Sequence, residues 1–171
     1  MAGASLDVQL HIANAADVKA AFESLQARLA DLTPAFRDIG EALLNSTRAR
    51  FMDSKAPDGT PWKALSEATL IGRARRASGG RLKNKDGRYS KKAALGYAYA
   101  KPLIDRGHLM GRLNYRAGPH EVRIGTPLIY GATHQFGRGH IPARPFLGLS
   151  ASDEAELLDI LNDHLRRAMG G

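Results

Sequence analysis

Apolar and polar residues alternate over 6–12, placing Leu6, Val8, Leu10 and Ile12 on one side of an extended chain. That period of two predicts a half-buried strand. The period then lengthens. Val18, Phe22, Leu25 and Leu29 recur at helical spacing across 15–31, with Asp17 in a first turn whose dipole favours a carboxylate. The clearest stripe is Phe36, Ile39, Leu43, Leu44, Thr47 and Phe51, which predicts a helix over about 34–53. Thr33 suits its N-cap and Pro34 its first helical position, where a missing N–H costs nothing. Each helix keeps a polar face, so both should pack on a sheet or on each other.

Pro57-Asp58-Gly59 is strong turn chemistry, and Trp62, the only tryptophan, reads as a core plug under that loop. Ser66 can cap a short helix running through Leu70 and Ile71 into the basic stretch. Residues 72–101 are poor in large apolar groups and hold Ser78-Gly79-Gly80, Asn84 and Gly87, a composition that predicts a mobile loop. Beyond it the pattern is regular again. A short helix or turn is expected within 103–113, paired strands at 113–118 and 121–126 with Val122 and Ile124 inward, and a short helix at 128–136. Ile141 to Gly148 is proline-locked. The last helix should start from Ser152 or Asp153 and run to about Ala168, with Leu157, Leu158, Leu161 and Leu165 inward. Asp153, Glu154 and Glu156 at its start and Arg166 and Arg167 at its end match the helix dipole.

These elements predict one α+β domain over 1–171, with a basic flexible insertion at about 72–101. Its small, mainly antiparallel sheet is packed by two long N-terminal helices and a C-terminal helix. At this length, one core can be sizeable without covalent staples.

Charge changes the picture in one place. Of 25 basic residues, nine fall between Arg73 and Lys92 (Arg73, Arg75, Arg76, Arg81, Lys83, Lys85, Arg88, Lys91 and Lys92), and Asp86 is the only acid among them. The remainder carries 16 residues of each sign, so the net +8 is a local patch. Three readings of it stand open: a solvated or assembly loop, an arm that tracks a phosphate backbone, and an arm that docks on an acidic protein.

Candidate chemistry is sparse. There is no cysteine, hence no disulfide, thiol nucleophile or thiolate metal site. His120, His134 and His140 lack the spacing of a zinc site, and no GxSxG elbow, Walker A loop or GxGxxG fingerprint occurs. No metal or cofactor is implied. The N-terminus lacks the basic and long apolar regions of a signal peptide, and no run is long enough to span a bilayer, so a soluble protein made in the cytoplasm is expected.

Gly125-Thr126, Tyr130-Gly131-Ala132, His134-Gln135-Phe136-Gly137 and Ile141-Pro142-Ala143-Arg144-Pro145-Phe146-Leu147-Gly148 follow one another in order. Upstream stand Arg50-Phe51, Pro57-Asp58-Gly59-Thr60-Pro61-Trp62, Leu65, Thr69 and the stretch Leu103 to Leu109. This ordered set resembles the phage virion morphogenesis proteins, or tail-completion proteins, of Mu-like and P2-like tailed bacteriophages. It departs at Gly131, where alanine is usual, a change expected to be mild, and in the basic insertion.

The resemblance implies a non-enzymatic virion protein for tail completion and head–tail joining, placed in the tail or neck and assembled in the host cytoplasm. It also implies a homo-oligomeric ring with other tail, neck or head-completion proteins as partners, and no membrane. The competing reading is a nucleic-acid-binding protein acting through 73–92. Within the motif, Tyr130 and Phe136 read as core packing ahead of partner contact, with Phe146 and Leu147 as anchors. His134 and Gln135 are motif positions of structural or interface character. Arg144 divides between an internal bond and a subunit interface, since its rigid fork suits a carboxylate or carbonyl.

Overall fold

The structure, a computed structural model, describes residues 31–169 together with Ala27. The strand expected at 6–12 and nearly all of the helix expected at 15–31 lie outside the described residues. The centre of the molecule is α1 (Thr33–Asp53). Its N-cap is Leu32, which contributes no side-chain cap, so Thr33 is already inside the helix, one residue earlier than expected. The Thr33 N–H is satisfied instead by Asp31 Oδ1 at 2.8 Å. The chain leaves α1 through Ser54, whose left-handed backbone (φ 56°) turns its N–H back to the Arg50 carbonyl.

The buried face of α1 carries Ala35, Ile39, Leu43, Leu44, Thr47 and Phe51, and also Arg50. Against it lies a two-stranded antiparallel sheet of β1 (Asn114–Ala117) and β2 (Val122–Gly125), with Tyr115 opposite Ile124. The Tyr115 ring rests on Gly40, where any Cβ would collide with it, and its hydroxyl donates to Glu41 at 2.9 Å. The Leu32 N–H bonds to the Pro119 carbonyl, tying the start of α1 to the hairpin turn.

The other flank of α1 receives α6 (Ala151–Met169). The helix cap here is Ser150, where Ser152 or Asp153 was expected. Ser150 Oγ accepts from the Asp153 N–H at 3.2 Å and Asp153 Oδ2 accepts from the Ser150 N–H at 2.7 Å, a reciprocal capping box. Leu157 and Leu161 face inward together with Ile160 and His164, and His164 meets Asp38 at 2.7 Å. Leu158 and Leu165 do not. Leu158 is 61% exposed, because α1 covers a narrower stripe than the leucines span.

Short elements bridge these layers: α4 (His108–Gly111), which buries Leu109, and α5 (Ile129–Phe136), which follows β2. The core joins Leu44, Phe51, Ala56, Trp62, Leu109, Leu113 and Phe146. Phe51 meets Trp62 edge-on and Phe146 tilted, both with ring centroids 5.4 Å apart.

The segment 72–101, expected as a mobile loop entered by the helix that Ser66 caps, carries the C-terminal half of α2 (Glu67–Ala77) and all of α3 (Lys91–Ala98). Capping and small-residue packing replace the missing bulk. Ser66 and Ser90 accept from the N–H groups of Thr69 and Ala93, and fully buried Ala93 and Ala74 bring the two helices together. Gly96 allows that approach, since a Cβ there would meet Ala77 at 2.6 Å. Between the helices Lys83 pairs with Tyr89, and Gly87 (φ 79°) closes the turn.

Candidate functional site: the clamped motif segment

Two prolines fix the backbone at Pro142 and Pro145, which leaves the stretch between Ile141 and Gly148 outside helix and sheet. Backbone groups without a ladder need other partners. Four side chains supply them. Gln135, projecting from α5, accepts at its Oε1 from the N–H groups of both Phe146 and Leu147, each at 3.0 Å, and donates its amide to the Leu147 carbonyl at 2.9 Å. Trp62 Nε1 donates to the Pro145 carbonyl at 2.8 Å. Arg50 donates to the carbonyls of Phe146 (3.2 Å) and Gly148 (2.7 Å). Arg144 holds the adjoining strand of loop, its Nε donating to the Lys63 carbonyl at 2.8 Å and its second amino group to that of Ala64 at 3.0 Å.

Arg50 also pairs with Asp153. Both side chains are about 95% buried, an expensive placement unless charge and hydrogen bonds are fully matched. They are matched. Asp153 further accepts from Ser46 Oγ at 2.5 Å and from the Ser150 N–H. Burial alone would push the Asp153 carboxyl up; the hydrogen bonds from Ser46 and Ser150 and the charge of Arg50 outweigh it and hold the group below its ordinary value.

Among the motif residues, Phe146 is in the core and Gln135 clamps the segment. Of the two roles open for Arg144, these bonds describe the internal one: it is buried and spends its fork on carbonyls of its own chain. Of the two readings of Tyr130 and Phe136, core packing is the one the structure corrects. Both are exposed, Phe136 by 78%, because α5 presents Gly131 to the core and turns its larger rings outward. The Gly131 backbone packs closely there: a Cβ would come 2.6 Å from the Thr126 methyl.

His134 is half-buried, stands edge-on to Tyr130 at 6.0 Å, and accepts the Arg144 N–H on its carbonyl at 2.7 Å. Its Nδ1 has no partner among the described residues. Burial, then the charge of Arg144, lower its pKa and favour the neutral ring. His134, His108 and His140 line an open cavity of about 780 Å³ with Arg73 and Arg144, but among the described residues no group of three or more His, Asp or Glu could hold a metal. No helix there is long and apolar enough to cross a membrane.

The basic residues divide. Arg73 donates to the carbonyls of Lys101 and Ile104, both at 2.7 Å, and Arg76 grips Asp105 with both oxygens near 3 Å. These two anchor α2 to the body. Lys83 sits over the Tyr89 ring at 5.5 Å. Arg75, Arg81, Lys85, Arg88, Lys91 and Lys92 are exposed.

The Arg50–Asp153 pair is what sequence reasoning missed. Two signals were present. Arg50 lies seven residues after Leu43 on the buried stripe, and Ser150-x-x-Asp153 has the spacing of a capping box.

The profile of the phage virion morphogenesis family matches residues 13–166. Mu-like prophage FluMu G protein 2 of Haemophilus influenzae is 28% identical over 166 residues, covering 93% of this chain and 96% of its own. The putative capsid assembly protein G of Escherichia phage Mu is 28% identical over 142 residues, 78% of this chain and 79% of the relative. Tail completion protein S of Escherichia phage P2 is 27% identical over 144 residues, 76% and 81% respectively. No solved structure gives a significant match.

Proposed function

The chain belongs to the phage virion morphogenesis family, and from that premise we propose that it completes the phage tail and joins it to the head as a ring of identical subunits. A structural role in phage assembly follows from the family and from relatives described as a capsid assembly protein and a tail completion protein. The finer reading places it in the virion, at the tail or neck, beside other tail, neck or head-completion proteins. No catalytic step is assigned to it.

The observation that carries the ring is the outer face of α5. Ile129 is 94% exposed and Phe136 78%, and they stand seven residues apart on one side of the helix, with Tyr130 and Ile141 nearby. An apolar face of that kind is costly to leave in water. In a closed ring each subunit offers one such face to a different surface of its neighbour. The clamp behind α5 keeps the face rigid, which reduces the ordering cost of association.

The test is the pair of variants Ile129→Asp and Phe136→Asp. Both side chains point into solvent, so the melting temperature should stay within about 2 °C of wild type, as surface changes are usually within ±0.5 kcal/mol. Sedimentation should show the oligomer reduced to monomers, and electron microscopy of particles carrying either variant should show separate full heads and tails. Variants that sediment as wild type, or that yield joined particles, would sink the ring or the joining role respectively.

A further inference from the structure

The pair α2–α3 forms an arm. Its helices pack chiefly on each other through Ala74, Ala93 and Gly96, and it is tied to the body at its root by Arg73 and Arg76. At and beyond that root, Arg75, Arg81, Lys85, Arg88, Lys91 and Lys92 make no ion pair among the described residues. Asp86, the one acid within the stretch, is turned to the backbone and accepts the Arg88 N–H at 3.1 Å. Six exposed cations within eighteen residues are therefore carried on a capped, well-packed support with no acid paired to them among the described residues, and the chain outside 73–92 is neutral. Such an arrangement repels itself and gains from a dense anionic surface.

We propose that this arm binds the phosphate backbone of double-stranded DNA, without reading its sequence. The charge density agrees. Of the six, only Arg75 lies on α2, while Arg81, Lys85, Arg88, Lys91 and Lys92 crowd into twelve residues of the connecting turn and the first turn of α3. Duplex DNA presents one charge per roughly 1.7 Å of axis, a density that such a cluster meets with several cations at once. Base readout would need side chains presented to a groove edge, and the tip is a tight turn at Asn84 and Gly87. An acidic protein surface is the other polyanion to weigh. Protein interfaces have an apolar, charge-depleted centre. The arm exposes Tyr89 and Tyr99 beside these cations, but the charged tip from Arg81 to Arg88 itself carries no exposed apolar side chain, Leu82 being half-buried, so it lacks such a centre. The proposal stands apart from the ring, because none of these residues lies on α5.

The experiment is fluorescence anisotropy with two labelled 24-base-pair duplexes of unrelated sequence, and labelled polyglutamate, over a salt series. We expect both duplexes to bind alike, with micromolar affinity near 0.1 M salt. The slope of log K against log salt should be about −4 to −5, from four to six phosphates neutralised. Polyglutamate should bind at least tenfold more weakly. The triple variant Arg81→Glu, Lys85→Glu, Arg88→Glu, checked for folding by circular dichroism, should lose about 100-fold and flatten the slope by about 2.7. Should the triple variant misfold, single neutralisations such as Lys85→Gln serve, each flattening the slope by about 0.9. The proposal is overturned if no duplex binds, if binding or slope ignores these changes, or if polyglutamate binds as tightly as DNA.

Discussion

Replacing Arg50 by methionine probes the clamp most directly, because the substitution keeps an apolar stem and removes the charged fork. In the native chain that fork reaches the Phe146 and Gly148 carbonyls, Ser46 Oγ and Asp153. The variant leaves the Asp153 carboxylate buried with no counter-charge. Removing one partner of a buried pair costs about 3–5 kcal/mol. Asp153 keeps its bonds from Ser46 and Ser150, which pulls the figure down. The unpaired Gly148 carbonyl pushes it up by roughly 1 kcal/mol.

We therefore expect about 3–5 kcal/mol less stability in urea unfolding at pH 7, with an unchanged slope. The Tm should fall by about 6–20 °C for a domain of this size. The cycle is completed with Asp153→Leu and the double variant. The double variant carries no buried charge, so it should be less destabilised than the sum of the singles by at least about 1 kcal/mol. A loss below about 1 kcal/mol for Arg50→Met, or strict additivity, would show that the pair is not what holds the motif segment.

Arg144→Ala should lower the melting temperature of the isolated subunit, by about 2–3 kcal/mol of stability, since it strands the Lys63 and Ala64 carbonyls. Lysine should not restore it, and a melt equal to wild type would place Arg144 at an interface. Acid should act through Asp153. Its folded pKa lies below the ordinary value of 3.8, so the unfolded chain takes up the proton first as pH falls; the stabilisation is complete above about pH 4 and is lost as pH drops through the folded value. Urea midpoints of wild type and Asp153→Asn between pH 2.5 and 6 should converge below pH 4, and a constant gap would refute this.

Elements with a strong period could be read from sequence: α1, the hairpin of β1 and β2, α5, and the course of α6. Local chemistry carries each of them. What sequence reading missed depends on partners distant in the chain. Arg50 falls on the buried stripe of α1, but its partner cannot be named from the sequence, since Asp153 lies 103 positions away. The outward turn of Phe136 follows from Gly131 occupying the core side of a short helix, a choice hydrophobicity alone does not reveal. The helix capped by Ser66 was legible, but the rest of the arm was read as a loop because hydrophobic bulk was sought, while alanine and glycine contacts between two serine-capped helices hold it.

The aromatic cluster of Phe51, Trp62 and Phe146 also sets a schedule for the growing chain. At about 5–20 residues per second, roughly 5–20 s pass on the ribosome between the synthesis of Arg50 and that of Asp153. For most of that interval Phe51 and Trp62 have been made, while the third ring and the carboxylate that neutralises Arg50 have not. This half of the core must wait, wet and adhesive, for its closing segment. Shielding this half-core from other chains until the closing segment arrives should raise the yield of folded subunit.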